Sequence, residues 1–571
     1  MRTLLNPEPS PLNPVAKGDY LFTVFNYSKR MYICVLISIL ILLWLCALRY
    51  YTVGRLLILG CLHLFWAGLT CMTAELCGQG WLTAGGDVAY WLALPLIFLA
   101  VGAKHRWLTA LCASIFSTLS LALALPCLAY WWKVGVLFSP YAAAAVLQTD
   151  IREAAEFLSL YASPWQLGSG GFSLVVIFCI FFWAYNQTLA GMAENRSPRK
   201  SLACVLMFLT AALLTQTIVG HSFMQAFSER KVLAAFPREA ELRQQLLPDS
   251  AFTGGFGNVA LIIGESATSA RYGVYGYGRA TTPWLNQALQ EGKLFLLQHA
   301  YAAGTHTGAS LPLMLTERNQ YNGQAASSSL TIVEAAQAAG YRVVWLSMQA
   351  PEGMAGFIAG QADESHWLGD KSCGYDSQLV EFLQQRTPDN GCKTLYLIQL
   401  LGSHARYSAR YPETFRLWQD GLSGDYDNTV HYTDHILRQL TAVLMEQHNV
   451  GALCYISDHG EDVSRYFHHG MDIFLNHWRT RPEVRDIVRI PAFVMLTDEF
   501  KQRNQELLPV LSRNLAGYFT NDLTYNLLLG LMQIQGDRRH YEYDPCSDKY
   551  SLTRDGALVA EGRVSVKELE E

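Results

Sequence analysis

Five short strings hold most of the side chains able to do chemistry: Gly264-Glu265-Ser266, Gly304-Thr305-His306-Thr307, Gly402-Ser403-His404, Asp458-His459-Gly460-Glu461-Asp462 and His468-His469-Gly470. Taken singly, a Glu or His in such a place is an ordinary cap or solvated loop residue. Taken together, Glu265, Asp458 and His459 form an oxygen-and-nitrogen set of the kind zinc accepts in tetrahedral geometry. His431 and His435, four apart on a helical pattern, have metal-pair spacing but no accompanying Glu or third ligand, and read as a solvated or partner-facing helix surface. A zinc-thiolate site is excluded because no C-x₂-C spacing occurs.

These strings follow strand-like runs. Apolar runs at 258–263, 342–347, 393–401, 452–457 and 489–497 alternate with helical patterns at 328–339, 376–386, 426–447 and 503–516. Such alternation predicts an α/β domain with a mostly parallel central sheet. Ligands in such sheets bind beyond the carboxyl ends of the strands, which is where Glu265, His404 and Asp458-His459 fall.

The chain has 571 residues, 51% of them hydrophobic and 16% charged. Residues 1–220 carry 21 charged side chains and the remaining 351 carry 70, so the apolar excess is confined to the first part. That asymmetry excludes one soluble globule and a disordered chain, and predicts a membrane region followed by a soluble domain. A net charge of −5 gives no basic footprint, so nucleic acid is not expected as a partner.

Six runs are long enough to cross a bilayer: about 31–48, 56–74, 88–103, 107–132, 171–190 and 201–220. Lys104-His105-Arg106 and Arg196, Arg199 and Lys200 read as cytoplasmic loops, which places everything after about 220 outside the cytoplasm. With six spans the N-terminus would also lie outside, against the preference of Arg2, Lys17, Lys29 and Arg30, so one early run is expected not to cross. No cleavable signal peptide is visible. The expected domains are a tail at 1–30, a transmembrane region of five or six helices at 31–220 with interfacial helices within 133–170, a linker at 221–256 and a catalytic domain at 257–571. In the amphipathic segment AAAAVLQTDIREAAEFLSLY, Thr149 and Glu153 share a helix face. Nine of the 13 Cys precede residue 220, and Cys373 and Cys392 bracket a helix and could pair in an oxidising compartment.

The strings GESATSARYGVYGYGRATTP, GTHTGASLP, LLGSHARYSARYP, YISDHGED and HHG, in this order and at these strand ends, resemble the phosphoethanolamine transferases of Gram-negative inner membranes. That family, whose members modify lipid A, lipopolysaccharide core or periplasmic glucan, belongs to the alkaline phosphatase/sulfatase superfamily. The resemblance covers roughly residues 88–540 and includes LQTDIREAAEFL. It implies metal ligands at Glu265, Thr307, Asp458 and His459, with Thr307 also the nucleophile. It further implies active-site histidines at His404 and His469, and substrate contacts at Thr149 and Glu153. Three features depart from the family pattern: Ala303 and Leu313 stand where relatives that modify lipid A carry a disulfide, Ala145 where some carry Asn, and the run 31–48 exceeds the usual five.

The implied chemistry is zinc-dependent transfer of phosphoethanolamine from phosphatidylethanolamine to an envelope glycoconjugate through a threonine-bound intermediate. A Thr hydroxyl is a weak nucleophile at neutral pH, and a bound zinc favours its deprotonated form. One zinc is expected, with room for a second at His404 and His469. Those histidines would hold the phosphate, bind that metal or protonate the leaving diacylglycerol. The other enzyme readings are a phosphoglycerol transferase of the same superfamily and a periplasmic phosphatase or sulfatase, the last disfavoured because THTGASLPLML lacks a C/S-x-P-x-R motif. The protein is expected to be a monomer, multi-pass in the inner membrane, with its catalytic domain in the periplasm.

Overall fold

The computed structural model describes residues 53–76, 81–101, 105–134, 139–148, 163–191, a few positions between 220 and 227, and 252–571 save 256, 352, 370–373, 390, 465–468, 471–473 and 475–480. The chain divides into two compact units, residues 1–143 with 162–226 and residues 144–161 with 227–571.

In the first unit, four apolar runs of the sequence are helices: α1 (Val53–Leu76), α2 (Trp81–Val101), α3 (Arg106–Val134) and α4 (Pro164–Ala190). Within them Arg106–Leu125 and Gly168–Ala190 are long and apolar enough to cross a membrane, and Val53–Gly68 and Asp87–Leu99 are shorter apolar stretches. Large apolar side chains such as Phe65, Leu119, Phe172 and Trp183 point outward, as suits helices solvated by lipid. One buried polar cluster is paired across three helices. His63, on α1, lies 3.1 Å from Tyr185 Oη on α4 and 3.4 Å from Ser117 Oγ on α3. Ser163 and Gln166 form a reciprocal capping box at the start of α4, with Pro164 at the first helical position. At the other end of α4, Arg55 donates to Gln187 O at 2.9 Å and Thr188 Oγ1 donates to Arg55 O at 3.2 Å. The start of α1 therefore meets the end of α4, from which Arg196, Arg199 and Lys200 follow in sequence. The run expected at 31–48 and, save Gly220, that at 201–220 lie outside the described residues, as do Thr149 and Glu153.

The second unit is built on a seven-stranded sheet. Its strands are β1 (Asn258–Gly264), β2 (Leu294–Leu296), β4 (Arg342–Ser347), β5 (Glu364–Trp367), β6 (Thr394–Gln399), β7 (Val450–Ser457) and β8 (Ala492–Leu496), while β3 (His299–Tyr301) pairs outside it with β9 (Tyr518–Thr520). The order is β2-β8-β7-β1-β6-β4-β5. The pairs among β7, β1, β6, β4 and β5 are parallel. The expected strand at 489–497 is shorter and antiparallel to β7, and β2 is antiparallel to it in turn.

Strands β1, β6 and β7 read as continuous apolar runs because both faces are covered. Val259, Leu261 and Ile263 enter one core, and Ala260 and Ile262 the other. The segment LFLLQHAYAA yields two strands, since β2 joins the sheet edge and β3 leaves it. Strand β5, ESHW, was not expected, being short, half-buried and polar. The helix expected at 503–516 is two, Asp498–Arg503 and Leu507–Leu515. Pro509 lacks an N–H and fits in the first turn of the second helix, not in the interior of one long helix.

Buried Asn521 joins the carboxyl end of β7 to the segment after β3. Its Oδ1 accepts from Ala303 N at 2.8 Å, and its Nδ2 donates to Ser457 O at 3.2 Å and Asp458 O at 2.7 Å. Removing that amide strands buried polar groups, each at a cost of about 1–3 kcal/mol. Asn521→Ala is expected to destabilise the protein by about 2–4 kcal/mol in a thermal or denaturant unfolding measurement.

Candidate active site

Three adjacent parallel strands deliver the reactive groups. Glu265 follows β1, Gly402-Ser403-His404 follows β6, and Asp458-His459 follows β7. Thr307 comes from outside the sheet, as the first residue of α5 (Thr307–Met314). Gly402 is required by its surroundings: its φ is 53°, and a Cβ there would sit 2.8 Å from Glu265 O. Asp376 fixes this turn by accepting from Leu401 N at 2.8 Å and Gly402 N at 3.0 Å. Ser266 adopts φ 52°, a left-handed conformation uncommon outside glycine. It is held there by Ser266 N donating to Asp458 Oδ1 at 3.2 Å and Ser266 Oγ donating to Glu265 Oε1 at 2.7 Å.

Glu265, Asp458 and His459 are buried and bring one ligand atom each within 4.8 Å of one another. His459 Nε2 lies 3.3 Å from Glu265 Oε1 and 3.4 Å from Asp458 Oδ2. Thr307 Oγ1 donates to Glu265 Oε2 at 3.1 Å and lies 3.3 Å from His459 Nε2. Across the ring, His459 Nδ1 donates to Gly460 O at 2.8 Å, which in the neutral imidazole leaves the Nε2 lone pair facing the carboxylates.

This cluster is electrostatically expensive as a set of protein groups alone. Burial and then the charge of Glu265 push the Asp458 carboxyl up to about 8. Burial opposes ionisation of Glu265 too, but the hydrogen bond and charge of His459 hold it below the usual carboxylate range. His459 is pulled up to about 9 by Asp458 and Glu265 against its own burial. Asp458 Oδ2 is buried and makes no hydrogen bond. Two buried carboxylates, an imidazole lone pair and a hydroxyl, one of the oxygens orphaned, fit a divalent cation, which removes the repulsion between the carboxylates.

His404 is anchored beside this cluster, since Ser403 N donates to Glu265 O at 3.0 Å. Burial lowers its imidazole to about 4. The ring of His469 lies 4.5 Å from that of His459. Its loop is tied toward the threonine segment by Gly470 N donating to Thr305 O at 3.0 Å. Burial, then the neighbouring His459 charge, lowers His469 to about 3. Six of the eight site residues expected from sequence thus come together, and Thr149 and Glu153 are the two outside the described residues.

Two further residues shape the site. Gln349, beyond β4, donates through Nε2 to Glu265 Oε2 and Leu400 O, both at 2.8 Å. Buried Glu461 accepts from His469 Nδ1 at 3.0 Å and so orients that ring. Glu461 stood in the DHGED string without a role, whereas nothing around Gln349 in sequence marked it. His431 and His435 are half-buried, and both rings pack on Phe415, at 5.9 and 4.9 Å. Cys392 is exposed, and its proposed partner Cys373 lies outside the described residues. Ala303 and Leu313 are both buried.

Residues 257–531 match the family model described as Sulfatase. The chain is 24% identical to phosphoethanolamine transferase EptC of Escherichia coli over 408 residues, covering 62% of this chain and 69% of that one. It is 22% identical to phosphoethanolamine transferase EptA of Salmonella typhimurium over 504 residues, covering 79% and 88%. In fold it is similar to the integral membrane protein lipooligosaccharide phosphoethanolamine transferase A (EptA) from Neisseria meningitidis, with a TM-score of 0.57 at 19% identity over 86% of this chain and 97% of that one. The chain is an enzyme similar to these phosphoethanolamine transferases, and residues 257–531 carry the Sulfatase family match.

Proposed function

We propose that the protein transfers phosphoethanolamine from phosphatidylethanolamine to an envelope glycoconjugate, lipopolysaccharide lipid A or core or a periplasmic glucan, with Thr307 as the covalent carrier. The observation that carries this reading is the placement of Thr307 Oγ1 within 3.1 Å of Glu265 and 3.3 Å of His459, beside the buried Asp458. Glu265, Thr307, Asp458 and His459 would hold the metal. Zinc bound there supplies positive charge that favours the ionised hydroxyl and offsets charge on the phosphoryl oxygens.

In the first half-reaction Thr307 Oγ1 forms a bond to phosphorus as the bond from phosphorus to the diacylglycerol oxygen breaks. The threonine proton ends on the departing diacylglycerol. In the second, an acceptor oxygen attacks the same phosphorus and the threonine oxygen leaves, regaining a proton from the acceptor. The phosphoryl group meets the N-terminus of α5, where the helix dipole favours anionic oxygens. His404 and His469 hold that group from the facing loops, and Glu461 keeps His469 turned toward it. In this reading residues 31–220 are the membrane region, 221–256 the linker and 257–571 the periplasmic catalytic domain of a monomeric inner-membrane enzyme.

Thr307→Ala is expected to abolish conversion of a fluorescent phosphatidylethanolamine to diacylglycerol, and unchanged turnover would show that another group attacks phosphorus. Enzyme incubated with donor and no acceptor should carry a phosphoethanolamine mass on the peptide containing Thr307, and a phosphoglycerol mass instead would reassign the donor. Zinc should co-purify with the protein and be lost, with activity, in Glu265→Gln and Asp458→Asn, as read by metal analysis of the purified variants. Gln349→Ala leaves every ligand in place but removes one donor to Glu265 Oε2, and should weaken zinc binding about 10- to 100-fold in a chelator competition.

A further inference from the structure

In the first unit a cavity of about 480 Å³ opens between α1 and α4, with apolar walls that include Leu57, Ile58 and Phe65 on one side and Ile180 and Trp183 on the other. Past Ile58, Trp183 and Ala184 it continues into a second cavity of about 200 Å³, whose lining adds Arg55 and Gln187. From Phe65 to Arg55 the groove follows ten residues of α1, about 15 Å of helix and the depth of one leaflet of bilayer hydrocarbon. The Arg55 end is polar and unsatisfied. Arg55 Nη1 donates to Gln187 O at 2.9 Å, and the remaining N–H groups of the guanidinium meet no acceptor among the described residues. This end of the unit is also basic and aromatic: Trp107, at the start of α3, lies 5.7 Å from Phe182 of α4 and 5.2 Å beneath the Arg106 guanidinium. Tryptophan and arginine gather where membrane helices reach the headgroups. Lys104 adjoins the same end in sequence, as do Arg196, Arg199 and Lys200.

We propose that this groove binds one anionic phospholipid of the cytoplasmic leaflet, with an acyl chain along the α1–α4 wall and the phosphate on the Arg55 guanidinium. Charge complementarity selects the occupant. An apolar trough that ends on an unpaired guanidinium matches a lipid whose phosphate tops its chain, and basic pockets between membrane helices hold anionic headgroups in this way. The chain's own runs 31–48 and 201–220 contain no Asp or Glu, so neither has an anion to bring to Arg55. A second copy of α1 is poorly matched as well, since its one acidic residue, Glu75, stands in the last turn, about 30 Å of helix from Arg55. The inference rests on the reading above that residues 31–220 are a membrane region. It adds a lipid site distinct from the one at Thr307, where the donor reacts.

The test uses the full chain in nanodiscs of equal parts phosphatidylethanolamine and phosphatidylglycerol. A photoreactive p-benzoylphenylalanine in place of Phe65, at the apolar end of the groove, should give phosphatidylglycerol adducts over phosphatidylethanolamine adducts by about fivefold in mass spectrometry. That is the preference one basic side chain supplies toward an anionic lipid. The same group in place of Leu64, which is exposed on α1 outside the groove, should take the two lipids in bulk proportion. Arg55→Gln should bring the position of Phe65 to bulk proportion, and Arg55→Lys should keep part of the preference. Bulk proportion at Phe65 in the otherwise native chain overturns the proposal, and so does an adduct there to residues 31–48 or to a second copy. No lipid adduct at either position overturns the membrane reading and this site with it. The crosslink reads no transfer, so its failure at Phe65 alone leaves the transferase reading standing, and a missing Thr307 adduct leaves this site standing.

Discussion

Two carboxylates that repel each other are held side by side in the interior of this protein, and the surrounding structure is arranged around that repulsion. Glu265 and Asp458 leave adjacent parallel strands at matching heights, with β1 and β7 in register as far as Gly264 and Ser457. Each is then fixed by neighbours that donate to it: Ser266 to both, Gln349 and Thr307 to Glu265, His459 N to Asp458 at 2.7 Å. Left without a cation, the pair cannot both ionise cheaply, and Asp458 is driven toward neutrality. The same arrangement fits a cation, because the protein has already met the desolvation and ordering costs.

How much of this was legible beforehand follows from the physics of each element. Strands buried on both faces leave unbroken apolar runs, so β1, β4, β6 and β7 stood out, and so did the residues at their carboxyl ends. Strand β5 did not, because an edge strand need not be apolar. The antiparallel direction of β8 was hidden too, since apolar content records burial and not polarity of the chain. Within the site, Glu265, Asp458 and His459 were visible as ligand types in the right places. Gln349 was invisible, because a neutral amide after a strand has no distinctive chemistry until the fold aims it at Glu265.

The pair His431 and His435 teaches the converse. Their spacing suggested an exposed face, and no third ligand accompanies them in the sequence. What spacing could not reveal was the return of the 413–418 segment over that face, a contact made between the helix and residues more than a dozen positions before it. In the first unit, periodicity said little because the helices are apolar on every side. The orientation information lay in isolated polar residues, and His63, Ser117 and Tyr185 find one another where three helices meet.

The strand order separates what is costly to alter from what is free to vary. Glu265, Asp458, His459 and the turn at Gly402 all issue from the three middle strands β7, β1 and β6, each braced on both sides by a neighbour. Strands β2 and β5, at the margins, have one neighbour each and carry none of these groups. Chain length and loop composition at the margins can drift without displacing the reacting atoms. Remodelling of the rim can therefore change what reaches the site while the three middle strands keep its groups in place.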